Sequence, residues 1–240
     1  MSPLLMKFSI GPSDGGGLFK VLPADAEVTS IVNPTVINSV LLVTVLSILF
    51  IVFGSKIKKA DPSKPSSGAV LFLEILVTGI DGLVEQTMGA KNIKFAPYIG
   101  TLAVYLVCAN LLGLVGLASP TSDYNVTLAL AVMTIVLMVG AGIKSRGIGG
   151  YLYEAFLGDF PFLLPLNITG ELAKPISLSF RLFGNILSGG IIMSLIYQAL
   201  GWFSPFIAPF AHAYFDVFSG VIQTLIFIML TMIWTQGAME

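Results

Sequence analysis

Leu182 to Phe215 reads LFGNILSGGIIMSLIYQALGWFSPFIAPFAHAYF, without one Asp, Glu, Lys or Arg, and is bounded by Arg181 and Asp216. Such a run belongs to a chain whose solvent is largely lipid, because about 20 apolar residues in a helix already cross a hydrocarbon core of about 30 Å. Gly201-Trp202-Phe203-Ser204-Pro205 interrupts it, so the stretch predicts two helices joined at an aromatic interfacial turn. The whole chain agrees. Of its 240 residues 55% are hydrophobic and 10% charged, and the mean hydropathy of +0.92 lies outside soluble composition. A net charge of −1 suggests no nucleic-acid surface, and the single cysteine, Cys108, cannot form an intramolecular disulfide.

Working outward, one helix is predicted from Ile168 through Arg181 to Leu200 and a last one over Pro209–Trp234, with earlier spans at Val36–Phe53, Ala96–Leu117 and Val126–Ile143. Lys56, Lys58, Lys59 and Lys64 follow the first span, Lys91 and Lys94 precede the second, and Lys144 and Arg146 follow the third. The turns at 119–123 and 201–205 carry no basic residue. The positive-inside bias then gives five crossings, with the N-terminal tail (1–35) outside and the C-terminus in the cytoplasm. The tail lacks the pattern of a cleavable signal, so the first span is expected to stay. In Ala69–Met88, Glu74, Asp81 and Glu85 fall within a narrow arc, which predicts an amphipathic helix at the inner interface or under other helices. Asp61–Gly68 reads as an aqueous loop, and the aromatic, proline-broken Tyr151–Leu166 as an interfacial segment. The expected fold is an all-α integral membrane protein with about five membrane-crossing helices, residues 36–240 forming one transmembrane domain.

Arg181 is the most costly residue in this layout, since insertion scales price a mid-membrane arginine at about 2.5–3.5 kcal/mol and such groups face a carboxylate or a water-filled cavity. Alternatively it lies near the inner end of its helix and snorkels, as Lys174 seven residues earlier can. Two helical turns, roughly 10 Å, separate the two, and Asn185 shares the face of Arg181 at i+4. Asp216 is equally isolated. A carboxylate so placed exchanges protons when desolvation and a guanidinium oppose each other. His212, Asp216, Ser219 and Gln223 fall roughly along one face of the last helix. That stripe suits either an ion path or an interhelical hydrogen-bond network, and His212 suits either a proton relay or an outer interfacial position. Glu171 is a candidate for the inner path or a solvated partner of Lys174 at i+3. One His and one Cys offer no metal cluster, and no glycine loop with Gly-Lys-Ser/Thr is present, so no metal, cofactor or nucleotide is expected on this chain.

Lys174-Pro175-Ile176-Ser177-Leu178-Ser179-Phe180-Arg181-Leu182-Phe183-Gly184-Asn185 resembles the signature of subunit a of F-type ATP synthases. Asn110-Leu111-Leu112-Gly113, Ser122-Asp123-Tyr124-Asn125-Val126-Thr127, Lys144-Ser145-Arg146-Gly147-Ile148-Gly149-Gly150 and Gln223-Thr224-Leu225-Ile226-Phe227 follow the family's order, over roughly residues 30–240. The resemblance implies a stator whose last two helices, long and tilted, pack against a rotating ring of c subunits and form two offset half-channels, with peripheral-stalk b subunits and membrane lipid as the other partners. Arg181 looks like the family's essential arginine, which holds the ring carboxylate ionised and blocks leakage between the half-channels. Asn185 and Gln223 match family positions near it. One familiar pattern has Glu at the position of Gly190 and His at that of Asp216, so Asp216 resembles a relocated outer acid. The implied location is a bacterial plasma membrane, with an organelle inner membrane as the alternative. The rival from another class is a stand-alone ion channel or secondary transporter, in which Arg181 and Asp216 would form a gating ion pair within the chain.

Overall fold

The computed structural model describes residues 7–9, 20–22, 34–59, 68–115, 117, 119–157, 162 and 164–240. The expected loop at 61–67, most of the N-terminal tail, and Asp159 and Phe160 of the interfacial segment lie outside these. Among the described residues seven α-helices carry the structure: α1 (Pro34–Lys59), α2 (Ala69–Met88), α3 (Ala96–Leu111), α4 (Tyr124–Leu152), α5 (Leu164–Leu200), α6 (Ser204–His212) and α7 (Ser219–Met239). The strands among the described residues are one short antiparallel ribbon, β1 (Lys7–Ser9) with β2 (Lys20–Leu22), which the sequence reading did not anticipate in the tail.

Among the described residues, four stretches are long and apolar enough to cross a membrane: Thr35–Ser55, Ala90–Leu114, Tyr124–Phe156 and Leu164–Met239. The last runs for 76 residues and doubles back at Gly201–Phe203, so it supplies the two final apolar segments expected from the sequence. The chain is an all-α integral membrane protein. α2 is not among the four stretches. Its charges Glu74 and Glu85 are exposed, and Val84 and Met88 are buried against the bundle.

α7 occupies the middle of the bundle and packs against α2, α3, α4 and α5. Its Phe227, Ile228 and Met232 meet Leu102 and Leu106 of α3, Leu130 and Ala131 of α4, and Leu178 and Leu182 of α5 in one core. Lipid offers no water to a hydroxyl, so buried threonines bond the carbonyl four residues back: Thr224 to Gly220, Thr231 to Phe227 and Thr235 to Thr231. α1 stands at the edge, with only 6% of its apolar window buried, and is held by Thr35 to Asp123 and Ser39 to Tyr105.

Asp123 also caps α4, accepting from the Asn125 backbone N–H at 2.9 Å, so one side chain starts α4 and ties α1 to it. At the opposite end Ser145 donates to the Met239 carbonyl, Asn92 to Gln236, and Arg146 pairs with Glu154 across a kink at Gly147. Gly147 has φ +77°, a left-handed conformation that glycine accepts readily. The helical ladder therefore resumes beyond the predicted end at Ile143 and runs to Leu152.

α5 decides the geometry of the site. It begins beside the turn at Tyr153–Leu157, where Asn167 bonds the Phe156 carbonyl. By Phe180 and Phe183 it has reached the Asp123 end, since both rings pack on Tyr124 with centroids 5.1 and 5.8 Å apart. Its 37 residues span about 55 Å, well over a hydrocarbon thickness of about 30 Å, so the helix cannot stand upright in a bilayer. The remainder of α5, with α6 and the turn after it, forms a hairpin reaching past the bundle.

Candidate functional site

The hairpin is asymmetric in chemistry. On α5, Ser177, Arg181, Gly184, Asn185 and Ser188 share one side by helical spacing, whereas Leu178 and Leu182 are turned fully into the core. Arg181 is exposed, and its guanidinium makes no hydrogen bond or ion pair among the described residues. Small and hydroxylic neighbours leave room for another helix to approach closely.

α6 does not run straight into α7. Residues Ala213–Phe218 wind as a π-helical turn, a feature common at functional sites, and Asp216 sits within it. The wider turn modifies the single polar face expected from 100° spacing. His212 and Ser219 both reach α5, but twelve residues apart on it: His212 Nε2 lies 2.7 Å from the Tyr197 hydroxyl, and Ser219 donates to Asn185 Oδ1 at 2.8 Å. Asp216 Oδ2 meets His212 Nδ1 at 2.5 Å. Gln223 is turned into the bundle at 6% exposure, and its buried Nε2 has no partner among the described residues.

A hub just inside the hairpin fixes the level of α7. Buried Asn110 of α3 donates to the Gly220 carbonyl at 3.1 Å and to Thr224 Oγ1 at 3.3 Å, and accepts from Thr121 at 3.0 Å. A Cβ on Gly220 would sit 3.1 Å from that of Asn110, so the two helices touch where a side chain is missing. Ser219, next to Gly220, is thereby aligned with Asn185.

The structure thus brings His212 to Asp216 and Asn185 to Ser219, and Arg181 bonds to none of the four. Glu171 pairs with Lys174 at i+3. Asp216 is held by His212, and no Arg181–Asp216 ion pair exists, contrary to what a self-contained gating pair requires. Tyr197, Asn110, Thr121 and Thr224 were not picked out as site residues by pattern. Tyr197 is brought in by the hairpin alone, whereas Asn110, an amide near the end of an apolar helix, carries a legible signal.

These features define an integral membrane protein in which polar groups are strung along one helical hairpin and an exposed arginine has no partner among the described residues. A family model, ATP synthase A chain, matches residues 36–236. The chain is similar at 35% identity over 204 residues to ATP synthase subunit a of Geobacter sulfurreducens, covering 83% of this chain and 85% of that one. It is 32% identical over 248 residues to that of Mycoplasma pneumoniae, with 90% and 82% covered. A third relative, "ATP synthase subunit a, sodium ion specific" of Propionigenium modestum, is 36% identical over 183 residues, which span 70% of this chain and 62% of that relative's length. The chain belongs to the ATP synthase A chain family, and is a membrane subunit of that complex.

Proposed function

We propose that this chain is the proton-translocating stator of the membrane sector of an F-type ATP synthase, forming two offset half-channels against a ring of c subunits. One observation carries the proposal: an exposed arginine without a partner among the described residues, on the small-residue side of an overlong membrane helix. A bare guanidinium facing lipid is costly, so the assembled state supplies its carboxylate. As each ring carboxylate arrives, Arg181 stabilises the anion, drives its proton off and keeps the two passages from joining. Asn185, oriented by Ser219, lies one turn away, and its amide nitrogen is available to the same visitor.

Asp216 with His212 serves the outer passage, Glu171 with Lys174 the inner one, and Gln223 backs the arginine from within the bundle. Peripheral-stalk b subunits and lipid cover the remaining apolar surface, including that of α1. The chain binds no nucleotide and is not an enzyme alone. It resides in a bacterial plasma membrane with the N-terminus outside and the C-terminus in the cytoplasm, residues 36–240 acting as one transmembrane domain after an outer tail.

The test is ATP-driven proton pumping by the complex in proteoliposomes. Arg181→Ala should assemble and hydrolyse ATP but pump no protons. Pumping at the wild-type rate by an assembled Arg181→Ala complex refutes the stator role, and ion conduction by the isolated chain would favour the channel alternative.

A further inference from the structure

Three lysines that the site does not use gather at the end of the bundle opposite Asp123. Asn92 stands between Lys91 and Lys94 in the 3-10 turn Ala90–Phe95, and its side-chain amide donates to Gln236 at 3.0 Å. Ser145 follows Lys144, and its hydroxyl donates to the Met239 carbonyl at 3.0 Å. Gln236 and Met239 are three residues apart on α7, about 4.5 Å of rise, so both basic stretches are pinned to the last turn of that helix. Lys91, Lys94 and Lys144 are exposed, and none has a carboxylate partner among the described residues. Nearby acids are engaged elsewhere: Glu154 by Arg146, and Glu240 by Gln236 at 2.6 Å. Glu85, exposed at the end of α2, forms no ion pair with any of the three.

We propose that the last turn of α7, with Lys91, Lys94 and Lys144 around it, binds the phosphate headgroups of anionic phospholipids, whose acyl chains lie against Ile93 and Ile148. The proposal rests on the chain being an integral membrane protein and is independent of the stator role. Depth favours a lipid over an acidic segment of another subunit. Ala90–Leu114 is itself an apolar stretch, so Lys91 and Lys94 stand in its first turn, where hydrocarbon gives way to headgroups. Ile93 is exposed between these two lysines, and Ile148, Leu152 and Tyr153 are exposed just beyond Lys144 and Arg146. An ammonium group on a four-carbon stem beside a bare isoleucine matches a phosphate joined to an acyl chain. The turns at 119–123 and 201–205 offer no counterpart, since neither carries a basic residue. Each lysine near an anionic membrane surface strengthens binding about 5-fold, so the three together give about 100-fold.

For the test, the whole complex is reconstituted in phosphatidylcholine vesicles carrying a trace of photoactivatable phosphatidylglycerol or, in parallel, of photoactivatable phosphatidylcholine, and the labelled peptides are mapped. In wild type the phosphatidylglycerol probe should label residues 89–95 and 144–153 in large excess over the phosphatidylcholine probe. Lys91→Gln with Lys94→Gln should lower that labelling about 25-fold, and adding Lys144→Gln should bring it about 100-fold down, with phosphatidylcholine labelling unchanged. Equal labelling by the two probes in wild type, or undiminished labelling in the triple variant, overturns the site. So does an equal loss when Lys56, Lys58 and Lys59 are replaced by Gln instead, because the preference would then be a diffuse surface potential. Labelling by neither probe in the complex, restored in the isolated chain, would mean that a protein segment covers the lysines, and also overturns it. If the triple variant does not assemble, Lys144→Gln decides alone: it removes one exposed charge, keeps the Ser145 bond and should cost about 5-fold.

Discussion

Replacing Asn110 by Leu keeps the side-chain volume near constant and removes three hydrogen bonds: those to the Gly220 carbonyl and to Thr224, and that from Thr121. No neighbour is left stranded. Thr224 still donates to the Gly220 carbonyl at 3.0 Å, and Thr121 still has Ser119 at 2.7 Å. The penalty is therefore the net worth of the bonds, without an added cost of orphaned groups. Interhelical hydrogen bonds in membranes average about 0.6 kcal/mol, so the three together come to about 2 kcal/mol, roughly 30-fold in an unfolding equilibrium. Unfolding of the purified chain in mixed micelles by titrated denaturing detergent measures this directly. A double-mutant cycle with Thr224→Val should return about 0.6 kcal/mol of coupling. A change below about 0.5 kcal/mol for Asn110→Leu would show that the hub does not hold α7 in register, and that the alignment of Ser219 with Asn185 has another source.

Arg181→Lys keeps the charge but replaces a planar fork by a point donor, and ATP-driven pumping by the assembled complex should fall below about a tenth of wild type. Ser219→Ala removes the 2.8 Å bond to Asn185; it should cost about 0.6 kcal/mol in the same denaturation assay and slow pumping by about 3-fold. Gly142→Ala places a Cβ 2.5 Å from Tyr151 Cδ2 and 2.9 Å from the Ala238 carbonyl, so α4 and α7 must separate; a loss of about 2 kcal/mol in that assay is expected. Glu171→Gln breaks a half-exposed pair with Lys174 and should change stability by less than about 1 kcal/mol, while proton release on the inner side slows in a pumping assay.

Much of this molecule is legible in one dimension because lipid punishes every charge. The position of α2 at Ala69–Met88 and the apolar spans follow from where charges are present and absent, and the structure keeps them, whereas Asp216, alone in its stretch of sequence, is paired with His212. Local chemistry was legible too: the i+3 spacing of Glu171 and Lys174 becomes an ion pair. Boundaries drifted where backbone departs from regular helix. α4 passes beyond Ile143 through Gly147, and the last apolar run starts at Ser204 and changes pitch at Ala213, because a positive φ and a π-helical turn have no periodic signature.

By itself, then, the sequence determined the class of protein, the apolar segments and the placement of Arg181 next to a long charge-free run, since each follows from transfer free energies summed along the chain. The tertiary structure decided which polar groups meet. Tyr197 with His212, Asn185 with Ser219, and Asn110 with Gly220 are each set by how far α5 has climbed before it turns back at Gly201. Nothing in residue spacing encodes that distance, which depends on two helices touching where side chains are small enough to let them.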